Sequence, residues 1–160
     1  MFLLDTPVVL ELRKGKSERI DAGVAGWAGG IPRQQLFISA LSLMELENSV
    51  ARVNSPVFRS WLDDQVMSAF EGRILPVDAT VAKKRASVAL SDNRDALMAA
   101  TALVHGLTLV TRNAAAYRAS RLKLFNPWGY APGDAEDPAD WRQAAKEASP
   151  VWLKNLFLRF

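Results

Sequence analysis

The chain has 160 residues, of which 49% are apolar, enough to fill one hydrophobic core. It contains no cysteine, which excludes a disulfide framework, a thiolate metal site and a cysteine nucleophile. No stretch approaches the roughly 18 apolar residues of a membrane helix, and the N-terminus lacks the pattern of a signal peptide. The absence of cysteine fits a reducing cytoplasm, which is the expected location. A net charge of +3 and a pI of about 9.4 are compatible with a polyanionic partner without requiring one.

The first half of the chain alternates short apolar runs with helical patterns. Residues 2–5 predict a buried strand, and Pro7 is placed to begin a helix over 8–14. The next predicted elements are a helix over 17–27 capped by Ser17 and stopped by Gly29 and Gly30, a strand over 36–39, a helix over 41–53, and a helix that begins after Pro56.

The alternation continues in the second half. Residues 73–77 predict a short extended segment, whose proline favours an edge strand or a connection. The following predicted elements are a helix over 79–90, a helix over 94–105 capped by Asp92 and stopped by Gly106, and strands over 107–111 and 122–125. Strands that alternate with helices in this way indicate a parallel sheet flanked by helices, joined by right-handed crossovers.

The last stretch differs in composition from the rest. Residues 129–138 are rich in glycine, proline and acids and predict a linker, while 139–148 favour a polar helix. Residues 150–160 are apolar and basic at helical spacing. This segment either packs back on the domain or a twin subunit, or docks a partner.

Three acids stand in positions that suit a metal site. Asp5 follows the first strand, Glu45 lies among apolar residues of a helix, and Asp95 lies in the first turn of another helix. Ligands in parallel sheets gather beyond the carboxyl ends of the strands, so these carboxylates can meet in space. Taken singly, helix capping explains either aspartate as well, and solvent exposure explains the glutamate.

Four motifs in register raise the specificity of this pattern. They are Leu3-Leu4-Asp5-Thr6, residues 39–46 with Glu45, residues 95–102 beginning at Asp95, and Leu109-Val110-Thr111-Arg112-Asn113. Over residues 1–128 the chain resembles PIN-domain ribonucleases of the VapC toxin type. Residues 72–77 and 125–128 are similar to the FitB and plasmid-stability StbB branch. We therefore expect a PIN domain over 1–128 and a C-terminal extension over 129–160 comprising a loop and one or two short helices.

The resemblance implies a three-layer α/β sandwich with a central, mainly parallel five-stranded sheet. It assigns metal binding and catalysis to Asp5, Glu45 and Asp95, with Thr6, Thr111 and Asn113 as supporting or fourth-position residues. Two positions depart from the family pattern: Pro7 replaces the usual asparagine, and Ala116 stands where an Asp-Phe pair often follows, with Tyr117 keeping the aromatic half. A fourth carboxylate is therefore weak or missing, and a second metal is in doubt.

The implied activity is endoribonucleolytic cleavage assisted by Mg²⁺ or Mn²⁺, since hard cations prefer oxygen ligands and offset charge on a phosphodiester. Arg94 and Arg112 are placed either to hold substrate phosphate or to pair with the carboxylates. There are two further basic groups, at residues 13–16 and 118–123. Basic groups of this kind usually face solvent, and a minority contact RNA. His105, the only histidine, suits a helix end.

Partners follow from the same resemblance: an RNA substrate, a second copy of the chain, and a VapB-type antitoxin through which DNA is contacted only indirectly. Apolar residues at 20–27 and 58–62 suit such an interface, or equally the core. A PIN-fold protein that binds RNA or a partner with weak or no nuclease activity is the alternative. A small phosphatase is disfavoured because no glycine-rich phosphate loop is present.

Overall fold

The computed structural model describes residues 1–14 and 20–131. Within these ranges five strands form one sheet in the order β3-β2-β1-β4-β5, and all neighbouring strands are parallel. The strands are β1 (Phe2–Leu4), β2 (Leu36–Ser39), β3 (Ile74–Leu75), β4 (Thr108–Val110) and β5 (Leu124–Phe125). The predicted α/β sandwich is confirmed, and its sheet is wholly rather than mainly parallel.

Helices cover both faces of this sheet. They are α1 (Thr6–Arg13), α2 (Ala22–Gly29), α3 (Ala40–Val53), α4 (Pro56–Ser60), α5 (Met67–Ala69), α6 (Ala79–Arg85) and α7 (Asn93–Val104). A π-helical stretch, Trp61–Val66, joins α4 to α5, and 3-10 helices occupy Arg33–Gln35 and Ala114–Ser120. In the part of the chain that the structure describes, no helix has both the length and the hydropathy needed to cross a membrane.

The core is divided between the two faces of the sheet. Leu3 and Leu4 are both fully buried but belong to different clusters, because successive strand side chains point to opposite faces. Leu4 lies in one cluster with side chains of α1 to α5 and of the π-helical stretch, including Trp61, whereas Leu3 lies in the other with side chains of α6 and α7, including Met98. Burial on both faces explains why the first strand is a continuous apolar run.

Two predicted helices have different boundaries in the structure. The helix expected over 79–90 ends at Arg85, where Ser87 Oγ donates to the carbonyl of Lys84 (2.8 Å) and competes with the helical ladder. The helix expected from Ser17 begins at Ala22, because Asp21 caps it by accepting a hydrogen bond from the Val24 amide (3.1 Å). Ser17 itself lies outside the described residues.

Beyond β5 the chain turns back against α2. A Cβ atom on Gly23 would lie 2.5 Å from the carbonyl oxygen of Pro127. Only glycine therefore allows the helix to approach this segment so closely. The ring of Tyr130 packs edge-on against Phe125, with centroids 6.0 Å apart. The predicted extension over 129–160 and its helices lie outside the described residues from 132 onward.

The strand order places one crevice at the carboxyl edge of the sheet. The chain moves outward from β1 through β2 to β3 and then returns to the other side of β1 for β4 and β5. The order reverses between β1 and β4, and ligands in open parallel sheets bind beyond the carboxyl ends of strands at such a point. Asp5 and Thr111 directly follow these two strands.

Candidate active site

Three elements bring the predicted acids to this edge. Asp5 follows β1 and caps α1, accepting a hydrogen bond from the Thr6 amide (2.9 Å). Glu45 comes from α3, and Asp95 from the first turn of α7, where its amide donates to Asp92 (2.8 Å). Asp5 therefore both caps α1 and lies with the other two carboxylates. We refer to Asp5, Glu45 and Asp95 as the carboxylate cluster.

A single guanidinium joins all three members of the cluster. Arg94 donates through Nη2 to Asp5 Oδ1 and to Glu45 Oε2 (2.9 Å), through Nε to Glu45 Oε1 (2.7 Å), and through Nη1 to Asp95 Oδ1 (3.0 Å). The Asp5 side chain is only 4% exposed, while those of Glu45, Asp95 and Arg94 are 26%, 23% and 28% exposed. Of the two roles expected for Arg94, the structure shows carboxylate pairing.

Two threonine hydroxyls orient the carboxylates from the protein side. Thr111 Oγ1 donates to Asp5 Oδ2 (2.7 Å), and Thr6 Oγ1 donates to Glu45 Oε2. Asn113 reaches this network through its backbone amide, which donates to Thr111 Oγ1 (3.1 Å), and the residue is exposed. The two threonines thus contact the cluster directly, while Asn113 acts through Thr111.

Tyr117 also belongs to this network. From the sequence it was noted only as an aromatic residue. Its hydroxyl donates to Asp95 Oδ1 (2.9 Å) and accepts from Arg94 Nη1 (2.7 Å), and the residue is 1% exposed. Its position on the 3-10 helix after β4 directs the ring into the site. In the sequence, the signal for this role was the position of Tyr117, which corresponds to the aromatic residue of the family's Asp-Phe pair.

The contacts shift several pKa values. Burial opposes ionisation of Glu45, but hydrogen bonds from Arg94 and Thr6 outweigh it and lower the pKa of that carboxyl below its usual value. For Arg94, burial favours the neutral form, yet the contacts with Glu45 and Asp5 leave its pKa raised. Burial, together with the charge of Asp5, raises the pKa of the Tyr117 phenol. These shifts keep Glu45 and Arg94 charged and the Tyr117 phenol neutral at neutral pH.

The PIN domain family model matches residues 2–122 of the chain. The chain belongs to the PIN domain family. Its described fold and the position of its acids agree with the motifs that first indicated this membership.

Similar proteins place the chain among PIN-domain toxins of the VapC type. It is 30% identical to VapC ribonuclease Y4jK of Sinorhizobium fredii over 80% of the chain and 98% of that protein. It is 33% identical to toxin FitB of Neisseria gonorrhoeae, over 80% of the chain and 99% of FitB. Plasmid stability protein StbB of Pseudomonas syringae pv. tomato is 29% identical over 80% of the chain and 99% of StbB. The predicted resemblance to these branches is confirmed.

A solved structure supports the same grouping. The structure of FitAB bound to an IR36 DNA fragment contains a chain with 28% sequence identity and a TM-score of 0.73 to this PIN domain. The match covers 83% of this chain and 99% of that one. Fold and sequence therefore point to the same relatives.

The donor set of the PIN-domain site fits a hard divalent cation. Three carboxylates surround one guanidinium, which leaves a formal excess of two negative charges, and threonine hydroxyls add further oxygens. Among residues 1–14 and 20–131, however, no three acids or histidines are spaced to share an ion as they stand. The guanidinium of Arg94 lies between the carboxylates and holds them around itself. The donor chemistry therefore suits such a cation, while Arg94 occupies the space between the carboxylates in this structure.

The second predicted substrate residue, Arg112, lies on the rim of the site. Its guanidinium lies 5.4 Å from the ring centroid of Trp128, and its carbonyl accepts a hydrogen bond from Asn126 (3.3 Å). Arg112 is exposed and Trp128 is half-buried. We call these two residues the Arg112–Trp128 pair. His105 is the exposed C-cap residue of α7, as its helix-end position indicated.

The apolar residues considered for an interface belong to the core. Val24, Trp27, Phe58, Trp61 and Leu62 are all less than 10% exposed and pack in one cluster. Of the basic residues, Lys14 pairs with Glu11 (2.8 Å), and Lys16 lies outside the described residues. Arg118, Arg121 and Lys123 are exposed, as expected for a solvated face.

Proposed function

We propose that this PIN-domain protein is the endoribonuclease toxin of a toxin–antitoxin pair, hydrolysing RNA phosphodiesters with Mg²⁺ or Mn²⁺ held by Asp5, Glu45 and Asp95. The supporting observation is the convergence of these three carboxylates at the carboxyl edge of the sheet with two negative charges in excess. One relative is a ribonuclease, VapC ribonuclease Y4jK, and this likeness supports the same activity.

The chain's own residues supply the orientation that such a reaction needs. Thr111 and the Thr6 amide fix the two oxygens of Asp5, and Tyr117 holds Asp95. The lowered pKa of Glu45 keeps this carboxylate ionised at neutral pH. A bound divalent cation would offset negative charge on the phosphoryl group.

Substrate binding is assigned to the rim. Arg112 is exposed beside the cluster and carries a full positive charge for a phosphate, and the half-buried Trp128 ring lies under it. An exposed cation beside an aromatic ring suits single-stranded or looped RNA, whose bases and backbone are both accessible. These features support RNA as the substrate class.

The proposed partners are a second copy of the chain and a VapB-type antitoxin that carries the DNA-binding function. The solved relative named FitAB bound to DNA supports a two-component, DNA-associated assembly. The chain would act on RNA in the cytoplasm, and its contact with DNA would be indirect.

The decisive experiment is cleavage of single-stranded RNA by purified, antitoxin-free protein with Mg²⁺ or Mn²⁺. We expect cleavage in the metal-containing samples and its loss both in EDTA and in the Asp5→Asn variant. Asparagine is as good a helix cap as aspartate, so this variant removes the charge and keeps the start of α1. Cleavage that persists in EDTA would contradict the metal-dependent mechanism.

A second candidate function is RNA or partner binding with weak or no cleavage. The observation that favours it is the guanidinium of Arg94 among the carboxylates, together with Pro7 and Ala116 at the departing positions. RNA binding without cleavage, in folded protein that also fails to bind Mn²⁺, would support this candidate over the nuclease.

A further inference from the structure

Arg94 fills the centre of the carboxylate cluster with a fixed cation. Its three guanidinium nitrogens make four hydrogen bonds to the three carboxylates, and Nη1 also donates to the Tyr117 hydroxyl. Arginine's planar fork is suited to this arrangement because its donors point in several directions within one plane. One side chain therefore satisfies acids that come from three separate elements.

The cluster needs such a cation whenever no metal is present. Asp5 is 4% exposed, and Glu45 and Asp95 have lost about three quarters of their exposure. Buried like charges at short range repel one another, and each is costly without a partner of opposite charge. Without Arg94, metal-free protein would leave these like charges without a partner of opposite charge.

Arg94 and a divalent cation cannot occupy the cluster together. The oxygens that accept from the guanidinium are Asp5 Oδ1, both Glu45 oxygens and Asp95 Oδ1. A Mg²⁺ ion requires oxygens at about 2.0–2.1 Å in a demanding geometry, and a neighbouring guanidinium would repel it. Binding of the metal thus requires departure of the arginine.

The position of Arg94 allows this departure. The side chain is 28% exposed, so it has access to solvent from its bound position. Its backbone lies in the first turn of α7, which is held by the Asp92 cap on the Asp95 amide (2.8 Å) independently of the side chain. The side chain can therefore rotate outward while Asp95 stays in place.

We infer that Arg94 is a positioning residue that gathers the carboxylate cluster in metal-free protein and exchanges with the divalent cation. The inference rests on the proposed metal-dependent function. Its consequence is that Arg94 weakens the apparent metal affinity while stabilising the metal-free fold.

The test compares wild-type protein with Arg94→Gln and Arg94→Lys, and with Arg52→Gln as the control, because Arg52 is an exposed arginine in the last turn of α3. Mn²⁺ binding is measured by calorimetric titration, and melting temperature is measured in EDTA. If the arginine-out state is populated below a tenth in wild type, Arg94→Gln should bind Mn²⁺ more than about tenfold tighter. It should also melt at a lower temperature in EDTA, with Arg94→Lys intermediate and Arg52→Gln unchanged.

Each other outcome has a defined meaning. Wild type and Arg94→Gln binding Mn²⁺ with equal affinity would overturn the exchange while leaving the proposed metal site intact. No Mn²⁺ binding by any variant would overturn both the exchange and the metal-dependent function. Arg94→Gln could be unfolded in EDTA, in which case Mn²⁺ is added and folding is monitored by circular dichroism. Refolding on addition of Mn²⁺ supports the exchange. Failure to refold, combined with wild-type Mn²⁺ affinity in Arg94→Lys, overturns it.

Discussion

Two arginines lie at the same edge of the sheet in opposite surroundings. Arg94 is enclosed by three carboxylates and a phenol, whereas Arg112 is exposed and stacks over the indole of Trp128. From sequence the two had the same pair of possible roles, phosphate binding or carboxylate pairing. The structure distinguishes the two arginines by their surroundings. The charge of Arg94 is already neutralised by the acids around it, whereas the charge of Arg112, over an aromatic ring, is available to a ligand.

The position of each arginine on its structural element decides what its charge contacts. Arg94 is two residues after the Asp92 cap, so the helix start aims it at the cluster. Arg112 follows β4 one residue after Thr111, where the chain leaves the sheet and turns outward. The carboxylate cluster and the Arg112–Trp128 pair should therefore respond differently to substitution.

The largest effect is expected inside the cluster, from Asp95→Asn. Loss of one ligand charge should lower RNA cleavage by about 100-fold or more, since metal stabilisation is worth several kcal/mol and each ~1.4 kcal/mol is tenfold. Initial rates at saturating Mn²⁺ provide the measurement. Asp92→Asn is the matched control, because it lies on the same helix, is exposed and keeps the cap. Equal rates for the two variants would remove Asp95 from the catalytic set.

Next in size is Tyr117→Phe, which deletes one hydroxyl from the cluster and keeps the ring. The hydroxyl bonds two charged groups, so its loss should reduce the free energy of unfolding by about 1–2 kcal/mol. Urea denaturation in EDTA measures the change. Ser60→Ala serves as the control, since it deletes a hydroxyl that donates to a carboxylate, Asp64 (2.7 Å), at an exposed site. A neutral Tyr117→Phe would mean that water replaces the hydroxyl without cost.

A smaller effect is expected on the rim. Arg112→Gln should weaken single-stranded RNA binding uniformly across sequences and reduce the slope of log affinity against log salt by about 0.7, the value for one phosphate contact. Fluorescence anisotropy at several salt concentrations, with Asp5→Asn as the background to prevent cleavage, gives both quantities. Arg59 lies on α4, where it pairs with Glu47 and Asp63. Arg59→Gln should therefore leave the slope unchanged. An unchanged slope for Arg112→Gln would exclude its phosphate contact.

The smallest effect concerns pH. Because the folded-state pKa of Glu45 lies below the ordinary value of 4.5, its ionised form contributes stability above that pH. This contribution is lost as the pH falls through the folded-state pKa. In EDTA, wild-type stability should therefore fall more steeply below about pH 4.5 than that of Glu45→Gln. Glu71→Gln, at an exposed position outside the cluster, serves as the control; parallel curves for all three would contradict the assignment.

Much of the fold could be predicted because its determinants are local. Apolar runs marked β1, β2 and β4, and caps such as Asp92 marked where helices begin. The meeting of Asp5, Glu45 and Asp95 followed from parallel strands sharing one carboxyl edge. Their roles in catalysis and metal binding stay predictions.

Features that depend on the path of the chain in space could not be predicted. The hydroxyl of Tyr117 enters the site only because a 3-10 helix turns back after β4. The apolar side chains of Trp27 and Phe58 fit an interface and a core equally well in sequence, and burial alone distinguishes the two. The early end of α6 depended on a single serine contact that periodicity does not reveal.

The adjacency of Arg94 and Asp95 in the chain has a consequence for purification. A guanidinium attached next to its own acceptor is present at a high effective concentration that dilution and dialysis leave unchanged. A small counter-ion would be lost during desalting, but this one is retained by every copy of the chain. Buffer exchange therefore cannot open the cluster, and only a species that outcompetes a covalently attached cation can do so.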